Sequence, residues 1–480
     1  MKPRGHAGPA GHRGQRDGAL PTVPTGPLDN ATARCPHAHT ADDDVQPGEE
    51  KAKIRTAQRR YAPIVIGMPG LLIGIARNGD RLGRNTQKEF IGATGLSIDA
   101  YFASAALITA HYLDVTPESL GRNPPLNGIF HFEKSVPQEN QALRAVFTKY
   151  LELESCTADA FRDALGGPIG ENEDTAQRNL DYRVLRRKPI LRTADGRVIV
   201  IDPVFFSEKL FAGPLFCLVG RKGANADKLF SAFGKAFEAY ASRILESIYS
   251  RKQRLHLSLR GQDEKGHDIE ITDAAIDYGR TVLFIEIKAV WVREEAVATD
   301  KPADYLAWLR EKYGAGDDGV GKKGVVQLAN AITKLSGGQW TSAELAFDPR
   351  AKVIPILLVN DYLVGTPLHG WFLADEFRQA LKPDVLRPDG TMRKGRWTVA
   401  PLIVMSAQDL EDLETSSNAF CLREFFSDYS SDVPDRMISV HNYLGTSEKY
   451  RGRLKHSGFV IEYSRKAIDK AAALMRGENI

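Results

Sequence analysis

The sequence predicts an α/β architecture: a mixed sheet flanked by helices, preceded by a mainly helical segment and followed by a helical extension. Three observations carry this. Apolar residues recur at helical spacing over 228–250 (Phe230, Phe233, Phe237, Ala241, Ile244, Ile248). Residues 269–292, 353–359 and 402–405 read as strands, the last two apolar enough to be buried. A helical pattern over 325–335 separates two of them. Strands and helices interleaved in this way bury their apolar faces as layers around a sheet.

A chain of 480 residues is too long for one core and suggests several domains. The expected organisation is a disordered tail over 1–55, a mainly helical sensing or accessory domain over 56–205, the α/β domain over 206–415 and a helical extension over 416–480. The tail is rich in Gly, Pro, Ala, Thr and charge, which cannot offset the entropy of ordering. Its Cys35, His37 and His39 resemble a ligand cluster but read as coincidence in such a segment. The accessory domain shows a helix face at Ile98, Tyr101, Phe102, Ala105, Ala106 and Thr109. A second helix follows around Ala142, Val146, Tyr150 and Leu153, and a short third over 157–165. Over 185–206 the turn Asp195-Gly196 between apolar runs signals a β-hairpin.

Lys and Arg exceed Asp and Glu by 64 to 61, so whole-chain charge announces no polyanionic partner; basic residues would have to be gathered locally. The four cysteines, Cys35, Cys156, Cys217 and Cys421, include no C-x-x-C pair, which argues against a disulfide framework or structural zinc. The most apolar stretch, 63–76, is short and broken by glycine and proline, so no membrane partner is expected and the reading is cytoplasmic.

The chemistry gathers at Thr272-Asp273 and Glu286-Ile287-Lys288, on two β-prone runs flanking Gly279-Arg280. Gly-x is the sequence of a two-residue hairpin turn. Strand partners would then have numbers summing to 559, setting Asp273 across from Glu286 on one face. Lys288 shares that face, because side chains alternate along a strand. Asp277 would oppose Val282 and is the weaker candidate. Like charges directly opposed are destabilising unless a cation lies between them. A hard divalent ion, Mg²⁺ or Mn²⁺, held by Asp273, Glu286 and the Ile287 carbonyl would remove the conflict. E-x-K alone is a common pattern, but the run before Glu286 is too apolar for a surface ribbon.

A helix with Glu238 before these strands and one with Gln327 after them complete a pattern that resembles the PD-(D/E)XK, or restriction-endonuclease-like, nuclease superfamily. The matching residues are Gly234 to Tyr240 with Glu238, then Asp273, then Glu286-Ile287-Lys288, then Gly324-Val-Val-Gln327-Leu328, then the strands over 353–359 and 401–405. The resemblance spans roughly 180 residues and departs from the name at Thr272, where proline often stands. It implies metal binding by Asp273 and Glu286, catalysis by Lys288, assistance to the metal or its water from Glu238, and substrate contact or support of Lys288 by Gln327.

Two rival motifs fail on context. Gly316-x-x-x-x-Gly321-Lys322-Lys323 lacks the Ser or Thr of a P-loop, and Gly314-x-Gly316-x-x-Gly319 lacks the preceding apolar strand of a dinucleotide site. Lys322 and Lys323 are instead candidate phosphate contacts near a helix start. Arg393, Lys394 and Arg396, with Trp397, form a second candidate nucleic-acid segment, and 449–455 with Tyr450 a third. No G-x-S-x-G pattern supports acyl transfer. The expectation is a metal-dependent endonuclease acting on DNA in restriction or anti-phage defence, with a protein partner or homodimer as further associations. The alternatives are a non-catalytic nucleic-acid-binding or assembly module on the same fold, and a ribonuclease toxin.

Overall fold

The computed structural model describes residues 86–478 apart from 114–128, 166–182, 221–225, 316–323, 433–437 and shorter breaks of up to four residues. The readings made on residues 1–85, and on Lys322 and Lys323, lie outside the described residues.

The N-terminal segment opens with α1 (Thr86–Thr94) and α2 (Ile98–Leu113), followed by β1 (Ile129–His131) and α3 (Gln141–Glu154). Asn140 caps α3 by accepting from the Leu143 amide at 3.0 Å. Next come β2 (Ser155–Thr157), α4 (Ala158–Ala164), α5 (Arg183–Arg187), β3 (Ile190–Arg192) and β4 (Arg197–Val200). β3 and β4 are the expected hairpin, with Gly196 in its turn at a φ of 79°. It is half of a four-stranded sheet in the order β1-β4-β3-β2, which the mainly helical reading did not include. β1 and β2 have three residues each, too few for alternation to register.

After α6 (Pro203–Lys209) and α7 (Gly213–Val219), the long helix α8 (Ala226–Ile248) leads into the main sheet. β5 (Arg254–Gln262), β6 (Asp268–Asp277) and β7 (Thr281–Lys288) form an antiparallel meander. The turn between β6 and β7 is the one expected: Ala274 faces Ile285 and Asp277 faces Val282, and Gly279 has a φ of 82°. Then follow α9 (Pro302–Tyr313), α10 (Val325–Ser336) and β8 (Lys352–Val359), which lies parallel to β7 with Thr281 beside Lys352 and Lys288 beside Val359. α11 (Pro367–Leu381) precedes three short strands, β9 (Val385–Leu386), β10 (Met392–Lys394) and β11 (Trp397–Val399). β12 (Ile403–Ser406) closes the eight-stranded sheet, in which β11 borders the beginning of β8 and β12 its end. The remainder is α12 (Ala407–Ser416), α13 (Leu422–Asp432), α14 (Val440–Thr446) and α15 (Gly458–Met475). No single helix among the described residues is long and apolar enough to cross a membrane.

The two faces of the sheet bury different cores. Ala274, Ile276, Leu283, Ile285 and Ile287 pack with Phe233, Phe237, Ala241 and Ile244 of α8. Ile271, Ala275, Val282 and Phe284 pack with Val325, Leu328, Ala329 and Ile332 of α10. The α8-side core also takes in Phe90, Tyr101 and Phe147 from the N-terminal segment and Phe425, Tyr443 and Tyr450 from the C-terminal one. Residues from the N-terminal segment, the sheet and the C-terminal helices thus share one cluster of buried side chains.

β7 and β8 are parallel, so α10 must return along the sheet between them. Its last residue, Ser336, donates to the Lys394 carbonyl near the beginning of β8, so its first turn lies where β7 and β8 end. Gly324 makes that start possible, at a φ of 51°, and a Cβ there would meet the Tyr313 carbonyl oxygen at 2.6 Å. At Gly279 a Cβ would meet nothing within 4 Å. Gly279→Ala is expected to cost only the conformational penalty, about 1–2 kcal/mol. Gly324→Ala should cost clearly more, because backbone must also move. Denaturant midpoints of the two variants test this, and equal losses would contradict it.

Candidate functional site

The ladder between β6 and β7 ends at Ala274 and Ile285, and side chains take over beyond it. Thr272 Oγ1 donates to the Ile285 carbonyl at 2.7 Å, and the Ile287 amide donates to Asp273 Oδ2 at 2.6 Å. The two strands thus part at the next positions, which are Asp273 and Glu286. The other edge of β6 is irregular at the same place. Leu259 faces Thr272 while Arg260 faces Glu270, so β6 carries one extra residue there. Ser258, opposite Asp273 by the same count, has a φ of 49°, the left-handed region that non-glycine residues enter at a cost.

Alternation places Asp273, Glu286 and Lys288 on the α10 side: Asp273 lies between Ile271 and Ala275, and Glu286 follows Phe284. Glu286 has no exposed surface, and apart from Lys288 neither carboxylate oxygen has a polar partner among the described residues. Its one ionic contact among the described residues is Lys288 Nζ, 2.6 Å from Oε1. Burial pushes the Glu286 carboxyl up to about 8; Lys288 opposes this and Asp273 adds to it. Burial also raises Asp273, against the pull of Lys288 and the Ile287 amide. Burial draws the Lys288 ammonium down, but Glu286 more than offsets it, leaving the lysine above its ordinary value.

Glu238 comes from the opposite layer, on α8. One turn before it, a Cβ on Gly234 would sit 4.0 Å from Ala289, which sets this stretch of helix over the end of β7. Partial loss of water around its carboxyl, then the charge of Asp273, raises Glu238, while Lys288 lowers it. Its solvent-exposed side chain therefore senses both site residues. Glu270, which the sequence reading missed, adds its charge to both Glu238 and Glu286.

Gln327 lies half-buried in the first turn of α10 and makes no hydrogen bond to the acids or Lys288 among the described residues. The Ile287 side chain is buried in the α8-side core. Asp277 accepts from the Gly279 amide at 2.6 Å and belongs to the turn. Arg393, Lys394 and Arg396 fall on the β10–β11 hairpin, beside the beginning of β8, whereas Lys288 stands beside its end. Seven residues of strand separate these ends, about 23 Å, so a phosphate held there would be several nucleotides from one held at Glu286. In the third segment Tyr450 is fully buried and offers no open ring, while Lys449, paired with Asp428 at 2.7 Å, and Arg451 and Arg453 remain exposed.

Asn360 also escaped the sequence reading. It follows Val359, the ladder neighbour of Lys288, is 4 % exposed, and has no partner for either its amide nitrogen or its oxygen among the described residues. An Asn after a strand reads as turn chemistry, so nothing in the sequence marked it. Beside it the Val292 amide donates to Asp361 at 3.1 Å. The charge of Asp361 is felt by Glu208, whose carboxyl is raised chiefly by burial and which holds buried Arg186 at 2.8 Å. The N-terminal segment thus reaches the end of the sheet where the acids lie.

Chemically, the site offers hard oxygen donors and one ammonium. Among the described residues no three His, Cys, Asp or Glu side chains are gathered as a ligand set. A pair of carboxylates suffices for Mg²⁺, which keeps several waters and takes substrate phosphate oxygens. The Glu286 oxygens, buried with only Lys288 as a polar partner among the described residues, fit such a donor set. No family model, curated protein or solved structure matches the chain.

A buried amide lacking both partners costs about 1–3 kcal/mol per group. Asn360→Leu is therefore expected to raise the thermal midpoint. If the amide serves the site, the same change lowers whatever activity the site has. A variant that is less stable would show that the amide is already satisfied.

Proposed function

We propose that the chain is a metal-dependent nuclease that hydrolyses phosphodiester bonds in DNA. The reading rests on one observation: a fully buried carboxylate, Glu286, stands at the end of an apolar strand with Asp273 on the neighbouring strand and Lys288 beside it. A solvated hairpin has no reason to bury a carboxylate with a single lysine for a partner, since that costs several kcal/mol.

Asp273 and Glu286 would hold Mg²⁺ or Mn²⁺, which when bound supplies charge neutralisation at the phosphate and an acidified water. Asp273, tied through one oxygen to the Ile287 amide, keeps its carboxylate oriented toward β7. Lys288 carries a full positive charge and remains partly accessible, so it can stabilise charge building on the phosphoryl oxygens or orient the attacking water. Glu238, raised above its ordinary value, is placed to accept or hold a proton at the edge of the site. Water attacks in line with the departing 3′ oxygen. The contact of the N-terminal segment with this end of the sheet suits a sensing domain in restriction or anti-phage defence.

Purified protein is expected to nick plasmid DNA with Mg²⁺ or Mn²⁺ and to lose that activity with chelator. Glu286→Ala and Asp273→Ala should each cost at least about 10²–10³-fold. Nicking that survives Glu286→Ala would overturn the reading. Labelled RNA in the same assay separates a ribonuclease, and metal-independent DNA retention without cleavage would favour a binding module.

A further inference from the structure

We propose that Lys288 is the site's resident cation: with no metal bound, its ammonium fills the position a divalent ion takes at Glu286, and ion entry displaces it outward. This rests on the nuclease reading above and concerns how that site is kept before it is loaded.

Glu286 is fully enclosed, and among the described residues its one ionic contact is Lys288 Nζ at 2.6 Å. The ammonium thus supplies positive charge directly against the buried carboxyl, where a metal ion would also supply it. The two residues stand two apart on β7, about 6.6 Å between backbones. To reach Glu286 the flexible lysine stem must fold back along the strand, and a change of rotamer carries Nζ away again. The side chain is 24 % exposed, so a path to solvent is present. Asp273 and Glu270 add negative field at Glu286, and Asp273 and Glu238 at Lys288, so the buried acid is costly without a cation of some kind. The lysine and a divalent ion then compete for one place, and like charges cannot share it.

The test is Mn²⁺ binding by calorimetry without nucleic acid, on wild type, Lys288→Met and Lys288→Gln. Removing the competitor is expected to tighten Mn²⁺ binding by about tenfold. Lys288→Met should also melt lower than wild type without metal and gain more from Mn²⁺. Lys288→Gln keeps a hydrogen-bond donor for Glu286 and guards against misfolding of the first variant. On wild type itself, acylation of Lys288 followed by mass spectrometry should quicken when Mn²⁺ is added. Unchanged or weaker Mn²⁺ affinity in both variants, or Lys288 labelling that Mn²⁺ leaves unchanged or slows, would overturn the proposal while leaving a metal-dependent wild-type nuclease intact. If wild type neither binds Mn²⁺ nor cleaves, the nuclease reading fails and takes this inference with it.

Discussion

A carboxylate from which all water has been removed must be neutralised by a proton or by a nearby positive charge. Glu286 is in that position, and the surrounding structure can be understood from it. The residues of β7 before it are apolar because the strand runs through the middle of the sheet, covered by α8 on one face and α10 on the other. The acid therefore arrives at the strand's end with no solvent to fall back on. The parted ladder, the extra residue in β6 and the left-handed Ser258 all occur at this level of the sheet. Backbone irregularity of that kind persists where the surrounding packing over-determines it.

Topology decides what else can take part. In a sheet with parallel β7 and β8, returning helices start where the strands end, so α10 and α11 both begin on the Glu286 side. The positive ends of helix dipoles are thereby directed to the same region, which favours anions there. The basic β10–β11 hairpin is carried to the other end by the same rule, since β11 runs alongside the start of β8.

Much of this could be read from the residues. The turn at Gly279 fixed the register because strand side chains alternate with period two and glycine tolerates the positive φ found there. Helices α2, α3, α8 and α10 announced themselves through apolar spacing. β5 was missed although Leu255, Leu257 and Leu259 alternate with polar residues, a signal that was present. The small strands of the N-terminal sheet carry too few residues to show a period. Asn360 and Glu270 matter through neighbours far away in the chain, and no local pattern encodes which distant strand a residue will stand beside. The basic character of residues 393–396 was legible, but their distance from the acids was not, because it depends on where β11 joins the sheet.

The packing of α15 against α2, tied by an ion pair between Lys470 and Asp99, has a kinetic meaning. During synthesis α2 emerges early, yet the helix that covers it is made only after the entire sheet. Its apolar face must wait, bare or held by a chaperone, until the ribosome has passed residue 475.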